Sequence, residues 1–107
     1  ALEYVNVHMT EDISVQDIAD ALNVSRYYLS HEFKKSTGYG LWNYVISKRL
    51  VYSQKLLAEG ASVTEACYES GFKDYAHFIK SFTKTFGCSP KQYGKSDDSI
   101  YMVKLNL

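Results

Sequence analysis

The stretch NVSRYYLSHEFKKSTG, Asn23 to Gly38, is a short helix with a start signal and a stop signal. Ser25 is a good N-cap, and Gly38 suits the left-handed turn that ends a helix. Leu29 and Phe33 stand four apart, so both face a core. At about 100° per residue, Tyr27, His31 and Lys34 fall on the opposite side, with Ser30 on the flank. A stable helix does not require that outward set, so it asks for a purpose.

The same pattern returns as GFKDYAHFIKSFTKTFG, Gly71 to Gly87. Ser14-Val15 matches Ser62-Val63, Asp17 matches Glu65, Ile18-Ala19 matches Ala66-Cys67, and Asn23-Val24 matches Gly71-Phe72, all at an offset of 48. One extra residue, near Lys73, moves the offset to 49. Leu29 then meets Phe78, Phe33 meets Phe82, and Gly38 meets Gly87. The chain holds two copies of one supersecondary unit.

Each copy reads as helix, tight turn, helix. Ser14 caps the first helix over Val15–Leu22, with Asp17 at the acid position of a capping box. Asn23 tolerates the left-handed turn, and Ser25 caps the next helix. In the second copy Ser62 and Glu65 form the box, Gly71 takes the turn, Asp74 caps and Gly87 closes. A small residue (Ala19, Cys67), a turn residue four on, and an apolar anchor in the second helix make the helix-turn-helix layout. Between the copies, Leu41–Glu59 carries Trp42, Val45, Ile46, Leu50, Leu56 and Leu57 at helical spacing. Such a helix is about 28 Å long, of the order of the ~34 Å helical repeat of B-DNA. The spacing therefore predicts residues 1–40 as a first helix-turn-helix unit, 41–60 as a linker helix, 61–95 as a second unit and 96–107 as a C-terminal tail.

At 107 residues and 46% apolar content the chain suits one globular domain with a modest core. It lacks an initiator Met and a signal-peptide pattern, so an excised domain of a longer cytoplasmic protein is expected. No apolar run approaches the ~18 residues of a membrane span. Cys67 and Cys88 do not make a disulfide framework and are expected as free thiols. Net charge is zero, but it alternates in blocks. Residues 1–24 hold five acids and no Lys or Arg, residues 25–55 six bases and one acid, residues 56–72 three acids and no base, and residues 73–95 five bases and one acid. Each basic block covers the second helix of a copy and the residues just after it, which suits an anionic partner despite the neutral total.

These residues resemble the DNA-binding domain of the AraC/XylS family of bacterial transcription regulators. The second half carries Ala66, Gly71-Phe72, Phe78, Phe82, Phe86-Gly87, Ser89-Pro90 and Tyr93, and the linker carries Arg49-Leu50, Ser53 and Leu56-Leu57. The match runs from about Leu2 to Lys95. Gly94 stands where the family commonly has Arg, and Cys67 where Ala is usual. The resemblance implies an all-α fold of about seven helices, with two helix-turn-helix subdomains joined by a long linker helix. It implies sequence-specific binding to double-stranded promoter DNA by two recognition helices in successive major grooves, usually with activation of transcription. RNA polymerase, and a sensor or dimerisation domain elsewhere in the full-length chain, are the further partners it implies.

The resemblance assigns base readout to the outward positions of both second helices and their first turns: Arg26, Tyr27, Ser30 and His31 in the first copy, Tyr75, Ala76, Ile79 and Lys80 in the second. Lys34, Lys35, Thr83 and Lys84 are expected on the DNA backbone, where contacts set register without reading sequence. Ser30 and His31 can donate or accept at base edges, Tyr27 can stack or hydrogen-bond, Ile79 and Ala76 suit thymine methyls, and Lys80 suits guanine. More hydrogen-bonded discrimination is expected from the first copy and more apolar or backbone contact from the second. Arg49 lies on the apolar stripe of the linker helix, so it needs a partner, for which Asp17 and Glu65 are the candidates. No cofactor, metal or catalysis is expected. His8, His31 and His77 lack metal-ligand spacing with each other or with either Cys, and the Gly38–Gly40 run follows a helix rather than a strand. A helical protein-interaction module is the remaining rival; it does not account for two in-register helix-turn-helix patterns with basic outward faces.

Overall fold

The computed structural model describes residues 1–94 and places seven α-helices there: α1 (Leu2–His8), α2 (Val15–Ala21), α3 (Arg26–Thr37), α4 (Leu41–Ala58), α5 (Val63–Glu69), α6 (Tyr75–Phe86) and α7 (Pro90–Gly94). The fold class is all-α, as expected. The tail over 96–107 lies outside the described residues.

Local chemistry explains the boundaries. At α2 the Asp17 N–H donates to Ser14 Oγ at 3.1 Å, and the Ser14 N–H donates to Asp17 Oδ2 at 2.8 Å. The Ser62–Glu65 pair at α5 repeats both bonds at 3.1 and 2.8 Å. The two bonds from Ser62 hold the Glu65 carboxyl below its ordinary pKa. Ser25 Oγ accepts from the Tyr28 N–H, and Asp74 Oδ1 from the His77 N–H, which starts α3 and α6. A third box, Ser89 with Gln92, starts α7. All three boxes silence donors that a helix start leaves unpaired.

The tight turns share one geometry. After α2 the Val24 N–H reaches back to the Ala19 carbonyl and the Asn23 N–H to that of Asp20; after α5, Phe72 reaches Cys67 and Gly71 reaches Tyr68. This is the Schellman pattern, which needs a left-handed residue. Asn23 sits at φ 58° and Gly71 at φ 106°. Asn is among the few non-glycine residues that accept this region readily.

Two compact units divide inside α4, one over Ala1–Arg49 and one from Leu50 onward. In the first unit, Val5, Ile13, Ile18, Ala19, Leu29, Phe33, Leu41 and Val45 form a buried cluster, with Tyr4, Met9, Val15, Val24 and Tyr44 against it. In the second, Leu50, Leu57, Ala66, Cys67, Phe72, Phe78, Phe82 and Pro90 are buried. Its rings run in a chain: Phe72 meets Phe78 at 5.1 Å, Phe78 meets Phe82 at 5.8 Å, and Phe82 meets both Phe86 (4.6 Å) and Tyr93 (5.8 Å). The buried hydroxyls of Ser53 and Ser70 donate to the carbonyls of Leu50 and Cys67, so neither is stranded.

Arg49 corrects one expectation. It is buried, at 5% exposure, but its partner is neither Asp17 nor Glu65. Its Nε donates to the Met9 carbonyl at 2.6 Å and an Nη to the Glu11 carbonyl at 3.0 Å, with Trp42 stacked on the guanidinium. The planar fork satisfies the backbone turn after α1. Burial lowers the Arg49 pKa, and Asp12 partly opposes that.

Candidate nucleic-acid interface

In the first unit the buried anchors Leu29 and Phe33 aim the rest of α3. Arg26, Tyr27, Ser30, His31, Lys34 and Lys35 are all exposed on it. Tyr27 is 79% exposed. Its ring stacks on that of His31, with centroids 5.8 Å apart and planes 10° apart, as an i, i+4 pair can. Tyr27, Ser30, His31, Lys34 and Lys35 together line a shallow hollow of about 390 Å³.

A second, wider hollow is lined by Val15, Gln16, Arg26, Tyr27 and Ser30. It joins the start of α2 to the start of α3. Val15 and Gln16 were not among the expected residues. Gln16 Nε2 donates to Asp20 Oδ1 at 2.8 Å, one turn on. That i, i+4 amide–acid spacing on the outer face of α2 was the available signal. Lys34 and Lys35 sit in the last turn of α3 and Lys84 in the last turn of α6. Cations there also complement the negative end of the helix dipole.

In the second unit, Phe78 and Phe82 are the fully buried anchors of α6. Tyr75, Ala76, Lys80, Thr83 and Lys84 are exposed, and Ile79 is half-buried at the edge of the face. The Thr83 hydroxyl donates to the Ile79 carbonyl at 2.8 Å, so toward any anion it is not a free donor. At matching positions, α3 therefore offers Tyr27, Ser30, His31 and Lys34 where α6 offers Ala76, Ile79, Lys80 and Thr83.

Both faces provide cations, hydrogen-bonding tips and small apolar patches, which suit base edges and phosphates. The Cys67 thiol is buried; burial, and then Asp74, push its pKa up to about 11, so it stays protonated and unreactive near neutral pH. Among the described residues no helix is long and apolar enough to cross a membrane.

A helix-turn-helix domain family matches residues 18–96. Regulatory protein PocR of Salmonella typhimurium is 32% identical over 94 residues, which is 87% of this chain and 31% of PocR. The chain thus spans about a third of that relative's length. The DNA-binding domain of AdpA, a global transcriptional factor seen in complex with a target DNA, superposes with a TM-score of 0.81 at 26% identity, over 87% of this chain and 85% of that one. A probable AraC family transcriptional regulator from Rhodopseudomonas palustris gives a TM-score of 0.78 at 25% identity, over 87% and 89%.

Proposed function

The chain belongs to the AraC-type helix-turn-helix family of DNA-binding transcription regulators, and from that premise we propose that α3 and α6 are its two recognition helices, set in successive major grooves of promoter DNA. The observation that carries this reading is the repeated unit: in each copy two buried anchors aim a solvent-facing surface holding lysines and base-reading side chains. Arg26, Tyr27, Ser30 and His31 make up the base-reading face of α3, and Tyr75, Ala76, Ile79 and Lys80 that of α6. Lys34, Lys35 and Lys84 donate to backbone phosphates, and the Thr83 hydroxyl joins them by releasing its bond to the Ile79 carbonyl.

Activation is the sense of regulation carried over from the family resemblance, with RNA polymerase as the partner it addresses in the cytoplasm. A sensor or dimerisation domain in the remainder of the full-length protein supplies the signal.

The test is selection of bound duplexes from a random pool, then affinity measurements between ~50 and ~200 mM salt. Enrichment of a defined motif is expected, with log K falling linearly against log salt by about 0.9 per phosphate contacted. A pool that does not enrich, or a flat salt response, overturns the reading in favour of a protein-interaction module.

A further inference from the structure

Tyr27 and Ser30 line both hollows on the first unit. The Tyr27 ring is therefore a ridge between two concavities, with Lys34 and Lys35 on one side and Arg26 on the other. The cationic hollows suit phosphates. The ridge is an aromatic carbon surface and does not.

An exposed tyrosine on a helix ordinarily samples several rotamers. This one lies beside His31 in an offset stack, with centroids 5.8 Å apart and planes nearly parallel. The contact restricts the ring before any partner arrives, so less freedom is lost on binding. Ala76 and Lys80, the matching residues of α6, cannot build such a pair. The apolar group that B-DNA presents in its major groove is the thymine C5-methyl.

We propose that the Tyr27 ring reads a thymine methyl, and that His31 is a positioning residue that holds the ring rather than an independent reader of a base. The proposal rests on α3 being a DNA-reading helix. It turns two outward residues into one specificity element, selective for thymine against cytosine at a single step of the site.

The experiment uses the whole chain and a duplex that it enriches from a random pool. Each thymine is replaced in turn by deoxyuridine, which removes only the methyl. One position is expected to lose affinity about three- to tenfold. With Tyr27→Ala that position becomes indifferent to the methyl. His31→Phe keeps a ring to stack on but has no imidazole nitrogens; it should stay within about twofold of the parent and keep the uridine effect. His31→Ala should lose both, and the double variant Tyr27→Ala/His31→Ala should bind no more weakly than Tyr27→Ala alone. Circular dichroism melts check that each variant is folded. If His31→Phe is as weak as His31→Ala, if the two alanine effects add, or if no uridine matters, the proposal is overturned. If no duplex enriches, DNA reading by α3 falls with it, and that result is distinct from enrichment without a methyl effect.

Discussion

The two units solve the same backbone problem and differ almost everywhere else. Both start with a Ser–acid capping box, turn through a left-handed residue, and aim a second helix with two anchors four apart. Inside, however, the first unit buries mainly aliphatic side chains and keeps its ring contacts at the margin, where Phe33 meets Tyr39 and Tyr44, whereas the second threads a run of rings from Phe72 to Tyr93. Outside, the contrast reverses: α3 shows a tyrosine, a serine and a histidine where α6 shows an alanine, an isoleucine and a lysine. The positions that steer the main chain recur, and those that only fill volume or meet a partner have diverged. One scaffold thus carries two differently built cores and two differently equipped faces.

The largest expected effect lies in the cores. Phe82→Ala removes a fully buried ring that touches three others and should cost about 3–5 kcal/mol. Phe33→Ala removes a slightly exposed ring that meets only the marginal Tyr39 and Tyr44 rings, and should cost less. Urea unfolding of both variants checks the order, and equal losses would erase the distinction between the cores. Next comes Arg49→Met, which strands the Met9 carbonyl and should cost about 2–3 kcal/mol. The Glu11 carbonyl keeps its bond from the Ile13 N–H, so the loss stays moderate. Hydrogen exchange should rise in α1 and α2 more than in α5 and α6; a uniform rise would show that the arginine does not serve the first unit alone.

The faces are compared by His31→Ala and Lys80→Ala, each measured on matched and mismatched duplexes. His31→Ala should lose the methyl discrimination held through Tyr27, about three- to tenfold, while Lys80→Ala should lose less discrimination. Equal loss of discrimination from both would remove the asymmetry between the faces. The effect that is smallest near neutral pH, and shows only in alkali, is that of Cys67. The folded Cys67 thiol is raised to about 11, above an ordinary thiol near 8.5. The unfolded chain therefore loses the proton first, and stability declines as pH rises from about 9 toward 11. Cys67→Ala should remove that part of the decline in pH-dependent thermal melts, and an unchanged profile would count against it.

Much of the fold was legible in the sequence because capping and turn chemistry is local. Ser14, Asp17, Asn23, Ser25 and Gly38 announce their roles within a few residues, and the repeat confirms each at an offset of 48 or 49. The start of α1 was not legible, since Ala1 caps it without a side-chain bond. The Ser89–Gln92 box at α7 had a readable spacing that the family run through Ser89-Pro90 overshadowed. The burial of Arg49 could be read from its place on an apolar stripe, but its partners could not. Main-chain carbonyls carry no sequence signature, and these come from a turn some 40 residues away. On the candidate interface, the outward set on α3 came from its helical period, whereas the half-burial of Ile79 and the approach of Gln16 to Arg26 depend on packing.

The Arg49 fork has a consequence for synthesis. Its two bonds join residues 40 and 38 positions apart, and Arg49 is the last residue of the first unit. A growing chain can form α1, α2 and α3 early, but the turn at Met9 stays unfastened until the first half of α4 has left the ribosome. The first unit is therefore completed late, by a residue of the helix that leads into the second.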